Sequence, residues 1–185
     1  MKKSIKASTF TPVLHPYNTA LITTKGLDSK PNIIAIAWII PVSVNPPALT
    51  FAIRKERYSY KLLLENGEFV VNIPELKYAK EAFMCGTYSG RNNDKFALTK
   101  FTPVKSEFVS VPSIEECVAN IECRVIQIVQ VDGLDHVLVV GEVLNVLVEE
   151  DLFDKHWDTT KVSLLLHLGG DLVTTTEKET KRVKI

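Results

Sequence analysis

Short apolar runs rich in Val, Ile, Thr and Phe recur along the chain and are separated by Pro, Gly, Asn and Asp. This pattern predicts β-strands joined by turns. Four short runs cover residues 19–24, 33–40, 48–53 and 69–73. Two longer runs follow at residues 118–131 and 136–148. The last two flank the turn Asp132-Gly133-Leu134-Asp135, so they form the clearest predicted hairpin.

Helical signals are few. Residues 59–66 predict a helix that Ser59 caps and that ends before Gly67. A second helix is predicted over 75–85, after Pro74, and a short third over 151–155. Many strands with few helices favour a closed or sandwiched antiparallel architecture over a doubly wound parallel sheet.

The chain reads as one domain over residues 1–185, because it contains no flexible linker, repeat or low-complexity tract. The stretch 174–185 is a polar, charged C-terminal tail. The N-terminal residues 1–12 contain no apolar core of signal-peptide length, and the longest apolar stretch, 33–44, is too short to span a membrane, which favours a cytoplasmic protein without a membrane partner.

Charge and cysteine content narrow the classes of function. Lysine plus arginine number 22 and aspartate plus glutamate number 22, so a broad nucleic-acid surface is not expected. Cys85, Cys117 and Cys123 form no Cys-x-x-Cys pair, which argues against a disulfide framework and a zinc site. We expect no bound metal.

Common catalytic and nucleotide signatures are missing from the sequence, including the dinucleotide and P-loop glycine motifs and the nucleophile elbow. The histidines are scattered without metal-ligand spacing, and the ordinary interpretation is a surface or hydrogen-bonded role for His15, His156 and His167. His136 differs, because it begins a predicted strand just past a tight turn, where a side chain can project over a rim.

Two polar segments could hold an anion. Arg54, Arg57 and Ser59 follow a predicted strand at the start of a helix, and this arrangement suits a phosphomonoester. The segment 86–91, with Lys95 close behind, adds glycines, a hydroxyl and further charge. Taken alone, the first segment is better explained as a solvated basic turn with a helix cap, and the second as a polar loop.

Small residues alternate with larger ones over 33–38, where Ala35 and Ala37 lie between bulky neighbours. Small side chains on one face of a strand allow a flat ligand to lie against the backbone. Packing offers an equally good explanation, in which the alanines make room for bulky neighbours.

These features, in this order, resemble the flavin reductase-like FMN-binding split-barrel family, and within it the flavoredoxin-like branch. The matching segments extend over nearly the whole chain and are residues 32–38, 41–47, 57–61, 67–74, 89–91, 94–96, 133–136, 141–143 and 167–170. The resemblance implies a mainly β Greek-key split barrel with a few short helices, which forms a homodimer with FMN near the interface.

The resemblance also implies roles for individual residues. The isoalloxazine would be lined by Ala35, Ile36, Ala37, Trp38, Ser43 and Val44. The phosphate would be held by Arg57, Ser59, Ser89, Gly90 and Arg91, with Arg54 and Lys95 nearby. His136 would place the nicotinamide, although Leu134 is inserted into the family's Gly-Asp-His signature here. Val173 stands where many relatives have tyrosine.

The activity implied is that of an NAD(P)H-dependent flavin reductase, which passes hydride from nicotinamide C4 to flavin N5. No strict acid–base residue is expected, and His136 would orient or polarise. The alternatives are an electron-transfer protein with tightly bound FMN and a redox partner protein, and a protein that only stores flavin or binds small anions. A redox role for Cys85 is a further hypothesis.

Overall fold

The computed structural model describes residues 2–181 and 183. Its α-helices are Tyr58–Asn66 (α1), Ala79–Thr87 (α2) and Lys95–Thr99 (α3). Its strands are Tyr17–Asn18 (β1), Ala20–Thr24 (β2), Asn32–Ile36 (β3), Ile39–Val44 (β4), Pro47–Ile53 (β5), Glu68–Ile73 (β6), Pro103–Val104 (β7), Ser113–Ile114 (β8), Ala119–Val129 (β9), Val137–Val148 (β10), Phe153–Asp154 (β11), His156–Trp157 (β12), Leu166–Gly169 (β13) and Leu172–Thr174 (β14). Short 3-10 turns cover Ala7–Thr9, Thr11–Leu14, Leu76–Tyr78 and Glu150–Leu152.

The main sheet has seven strands in the order β3-β2-β6-β9-β10-β5-β4, with antiparallel neighbours throughout. Its two edge strands, β3 and β4, are separated along the chain only by Ala37 and Trp38. The Trp38 carbonyl already accepts a bond of 3.0 Å from the Ala52 amide of β5. The two edges of the sheet must therefore meet, and the sheet closes into a barrel.

Strands β2 and β3 are buried on both faces, which explains their continuous apolar sequence. One face, with Ile22 and Ile34, points into the barrel core beside Phe51 and Phe69. On the opposite face, Leu21 and Ile33 pack against α2 and α3. The contacting residues of these helices are Ala82, Cys85 and Phe96. Helices α2 and α3 thus lie beside β3, with a groove between β3 and α2.

Several boundaries differ from those the sequence predicts. The single strand predicted over 33–40 is wrong, because the chain turns the corner from β3 to β4 at Ala37 and Trp38. Pro41 lies within β4, at an edge of the sheet, where a missing N–H is tolerated. The helix predicted over 151–155 is also wrong, since a 3-10 turn leads there into β11. Helix α3 was not predicted.

The predicted helix cap is wrong as well. Arg57 precedes α1 without a capping side chain, and Ser59 lies one residue inside the helix. Its hydroxyl is buried and accepts a bond of 2.7 Å from Asn32 Nδ2 on β3. The predicted end is confirmed, because Gly67 follows α1 in the left-handed region with φ of 69°.

A buried carboxylate holds the loop that precedes β8. Glu122 of β9 is fully buried and accepts bonds from the amides of Glu107, Phe108 and Val109, at 3.1, 2.7 and 3.2 Å. Asn145 on β10 donates a further bond of 3.1 Å. Burial alone raises the pKa of Glu122, but these donors outweigh it and bring the pKa below its usual value.

The tail predicted over 174–185 begins at the last residue of β14, and residues 182, 184 and 185 of it lie outside the described residues. Strand β14 pairs with β13, which in turn pairs with β1, so the C-terminal hairpin lies against the N-terminal strand. None of the helices in residues 2–181 is long and apolar enough to cross a membrane.

Candidate functional site

Three adjoining cavities, of about 370, 350 and 330 Å³, lie in the groove between β3 and α2. Arg57 and Gly86 line all three, and Ala35, Ile36 and Ala37 line the last two. Because the three cavities share lining residues, we describe them together as the trough. In order of decreasing volume, we call them the phosphate end, the ring cavity and the rim cavity. The name of the first reflects the charges described next.

Cations and hydroxyls converge at the phosphate end of the trough. The lining there includes Arg54, Arg57, Lys95, Ser59 and Ser89, against one carboxylate, Glu56. These side chains come from the β5–α1 turn, α1, the loop after α2, and α3. The two segments singled out in the sequence are therefore neighbours in space, and the site has a strongly positive end suited to an anion.

Lys95 is the buried cation of this end, with a relative exposure of 4%. Its Nζ donates to the carbonyls of Ile33 and Cys85, at 2.6 and 2.7 Å. Burial, aided by the charge of Arg57, lowers the pKa of Lys95 to about 8. Two of its three donors serve the protein, so the third can serve a ligand in the cavity.

Asn32, Ser59 and Gly90 form a tight contact beside the lysine. Asn32 is buried and donates to the Ser59 hydroxyl, which fixes the start of α1 against β3. A Cβ built on Gly90 would lie 2.0 Å from Asn32 Oδ1. Only glycine therefore permits this approach of the 89–91 loop to the sheet.

The ring cavity is mostly carbon-lined. Ala35 and Ala37 line it, together with Ala82 and Phe83 of α2 and Val173 of β14. A flat, apolar body fits such a slot. Polar groups enter it from Thr19 and His167.

The rim cavity is closed by the β9–β10 turn. The rings of Trp38 and His136 lie 4.9 Å apart, centroid to centroid. Asp135 accepts from His136 Nδ1 at 2.7 Å and pairs with Arg54 at 2.8 Å. The bond with His136, together with Arg54, lowers the pKa of Asp135. This carboxylate thus ties the turn to an arginine that lines both the rim cavity and the phosphate end.

Three residues expected at the site do not line these three cavities. Arg91 donates to the Glu56 carbonyl at 3.3 Å and lines an adjoining cavity of about 220 Å³, which shares Asn32, Tyr58 and Gly90 with the phosphate end. Ser43 and Val44 are on edge strand β4 and line none of the three cavities, and Val44 is 93% exposed. The other expected residues line the trough: Ala35, Ile36, Ala37, Trp38, Arg54, Arg57, Ser59, Ser89, Gly90, Lys95 and His136.

Cys85 lines the phosphate end but is fully buried. Burial is the main cause that raises the pKa of its thiol to about 12, although the charge of Lys95 opposes this. A thiol that stays protonated is a poor nucleophile, so the redox hypothesis for Cys85 gains no support from its surroundings.

Sequence reasoning did not select Thr19, Asn32 or His167 as site residues, and it included Gly86 only as part of the polar segment 86–91. The signal was present for two of them, since Asn32 and His167 belong to the matching segments. A histidine that is isolated in the sequence has an ordinary interpretation, however, and its place depends on a distant strand pairing. Tyr17 of β1 is opposite His167 of β13.

Comparison with known proteins gives a consistent answer. The family model described as "Flavin reductase like domain" matches residues 13–176. A solved structure, the flavoredoxin of Desulfovibrio vulgaris (Miyazaki F), is 31% identical with a TM-score of 0.87, and the match covers 98% of this chain and 97% of that one. The flavin reductase (NADH) of Kitasatospora aureofaciens is 32% identical over 129 residues, 70% of this chain and 64% of that protein.

An uncharacterized protein of Archaeoglobus fulgidus is 43% identical over 133 residues, which cover 72% of this chain and 73% of that protein. The chain belongs to the flavin reductase-like family, whose members include flavin-binding proteins. Its fold is the mainly β split barrel with few short helices of FMN-binding proteins, so the fold class predicted from the sequence is confirmed.

Proposed function

We propose that the trough binds FMN and that the protein is a flavin reductase, which passes hydride from NADH or NADPH to that flavin. One observation carries the proposal: a cationic pocket and an alanine-lined cavity adjoin, and Arg57 lines both. The two halves match the phosphate and the ring of FMN.

The phosphate end supplies what a phosphomonoester needs. Such a group carries nearly two negative charges and three acceptor oxygens. Arg57 offers a planar fork of donors, Lys95 a buried ammonium group, and Ser59 and Ser89 hydroxyls. Arg54 shares its charge with Asp135, so we assign it a lesser role at this end.

The remaining residues would bind and orient. Ala35 and Ala37 would let the flat ring lie against β3, while Trp38 and His136 would receive the nicotinamide at the rim. When bound, FMN would supply the ring that accepts hydride, so the protein need only stack the two reactants and exclude water. His136 would orient or polarise the nicotinamide under this proposal.

Oxidation of NADH and of NADPH by the purified protein tests the activity. Purified protein with excess FMN is expected to oxidise NADH or NADPH, with saturable dependence on both the nicotinamide and the flavin. The absorbance of the reduced nicotinamide follows the reaction. Protein that binds FMN but oxidises neither nicotinamide would overturn the reductase assignment while leaving the FMN site in place.

Similarity to flavoredoxin over almost the full chain favours a second candidate, an electron-transfer protein with tightly bound FMN and a protein redox partner. Retention of flavin through gel filtration, combined with no nicotinamide turnover, would select this candidate over the reductase.

We also propose a homodimer in which β4 takes part in the interface. Val42 and Val44 of β4 are exposed, as is Ile126 of β9 in the same sheet. Exposed apolar side chains on strands are typical of subunit contacts. Ser43 and Val44 would then reach the cofactor from the interface rather than from within one trough. Sedimentation is expected to give twice the chain mass, and Val44→Asp to shift the protein toward monomers.

The affinity for FMN is expected to fall as the pH rises above about 8. In the empty protein Lys95 loses its proton there, since its pKa is lowered to about 8. Phosphate favours the charged form, so binding must take up a proton, and affinity falls by up to about tenfold for each pH unit. Fluorescence titration of FMN binding between about pH 7 and about pH 9.5, a range that brackets the Lys95 pKa of about 8, measures this decline in affinity. Riboflavin, and the Lys95→Met variant with FMN, are expected to show no such decline.

A further inference from the structure

We propose that Thr19 and His167, with His15 behind them, form a polar wall that binds the pyrimidine edge of a flavin ring in the ring cavity. The inference rests on the proposed function in one respect, that a flavin ring occupies the trough. It assigns a site and a ring orientation beyond the phosphate contacts already described.

Unpaired polar atoms mark this wall. Both ring nitrogens of His15, Nδ1 of His167 and Oγ1 of Thr19 are buried and have no hydrogen-bond partner within residues 2–181. Each such group costs about 1–3 kcal/mol when it stays unpaired. Native proteins keep few of them, so a ligand that pairs with Thr19 and His167 would offset two of these costs. His15 lines none of the three cavities and supports His167 from behind.

The wall faces the trough. Thr19 and His167 both line the ring cavity, and His167 also lines the rim cavity. His167 Nε2 is paired with the Gly170 carbonyl at 3.1 Å, which leaves Nδ1 for another partner. The imidazole of His167 also contacts His15, and the centroids of the two rings lie 5.0 Å apart.

The backbone of β13 packs beside His15. Gly169 has φ of 121°, a conformation that favours glycine, and a Cβ at this position would meet His15 Nδ1 at an ordinary contact distance of 3.4 Å. Tyr17 packs edge-on against His15 at 4.8 Å. The pair is therefore enclosed on several sides, so it is part of the folded wall of the cavity and not a pair of loose surface side chains.

The chemistry of the wall selects one edge of the ring. Imidazole and hydroxyl groups each can donate or accept. The pyrimidine edge of an isoalloxazine carries carbonyl oxygens and an N–H, whereas its dimethylbenzene edge carries neither. Only the pyrimidine edge can pair with these atoms, while the carbon-lined remainder of the cavity suits the rest of the ring.

Charges around the wall favour the same edge. Tyr17 packs against His15, and the ionisable groups that line the ring or rim cavity with His167 are Arg57, Arg54 and His136. Arg54 and His136 both contact Asp135, whereas Arg57 forms no ion pair among the described residues. No carboxylate of the described residues lines either cavity, so the charge of Arg57 favours carbonyl oxygens there.

Three ligands separate ring binding from phosphate binding: lumiflavin, which is the ring alone, riboflavin, and FMN. His167→Phe and Thr19→Val are each expected to weaken all three by about three- to tenfold, the loss of one hydrogen bond. Arg57→Ala is expected to weaken only FMN. His156→Phe, at an exposed histidine on β12, is the matched control and is expected to change none. Quenching of flavin fluorescence measures each affinity.

Unchanged lumiflavin affinity in both His167→Phe and Thr19→Val would overturn the inference. Wild-type protein that binds lumiflavin but not FMN would instead overturn the phosphate site and retain this one. Should the variants fail to fold, ring-nitrogen NMR of wild-type histidines decides: addition of FMN is expected to shift the signal of His167 Nδ1, and an unshifted signal would contradict the assignment.

Discussion

Arg57→Ala is expected to weaken FMN binding by about ten- to hundredfold, because a hydrogen bond to a charged group contributes about 1.5–3 kcal/mol. Arg57 is suited to this role because it lies where the three cavities join. Riboflavin, which lacks the phosphate, is expected to bind wild type and variant equally well. Fluorescence titration of both flavins gives the comparison.

Lys55→Ala is the matched control for this variant. Lys55 is an exposed cation on the same turn, but it lines none of the three cavities. Its removal is expected to leave FMN affinity nearly unchanged. An equal loss of FMN affinity in Lys55→Ala and Arg57→Ala would indicate only a general charge effect. If Arg57→Ala weakened FMN and riboflavin equally, the assignment of the phosphate to Arg57 would be contradicted.

Glu122→Gln is expected to lower the free energy of unfolding at pH 7 by about 3 kcal/mol, since hydrogen bonds to a buried charged group are each worth about 1.5–3 kcal/mol. The amide keeps one acceptor oxygen but loses the charge that three backbone amides and Asn145 surround. Urea denaturation of wild type and variant measures the difference.

The pH dependence of this difference has a definite sign. The folded-state pKa of Glu122 is lowered, so its contribution is fully present above the unfolded value of about 4.3 and is lost as the pH falls through the folded pKa. Wild type and variant are therefore expected to converge in acid. Glu107→Gln, an exposed neighbour, controls for a general charge effect, and equal stability of the two variants would contradict the buried role of Glu122.

The strands were the most predictable part of the fold. The hairpin of β9 and β10 follows from two long apolar runs around Asp132 and Gly133. Strands β2 and β3 are also evident, because burial on both faces produces a continuous apolar run that does not depend on which neighbour provides the cover.

The corner between β3 and β4 could not be predicted in the same way. Ala37 and Trp38 are as apolar as the strand residues before them, and the break occurs because the chain exchanges β2 for β5 as its neighbour. Likewise, Ser59 has the sequence of a helix cap, but Asn32 from a distant strand engages its hydroxyl. Long-range partners overrode the local signal in both cases.

The candidate site shows the same division. The two cationic segments around Arg57 and Lys95 stand out in the sequence because charge and glycine concentrate there. Whether a side chain lines the trough depends on the backbone around it, and Arg91 lines the adjoining cavity of about 220 Å³ instead. The His15 and His167 pair was beyond reach, since the two residues meet only through the pairing of β1 with β13.

The most direct test of the account is the visible absorption spectrum of the protein after incubation with FMN and gel filtration, together with an FMN titration at micromolar concentration. The account predicts a yellow protein that carries up to one FMN per chain and saturates in that concentration range, with Arg57→Ala far paler under the same conditions. A protein that elutes colourless and shows no saturation with micromolar FMN would contradict it.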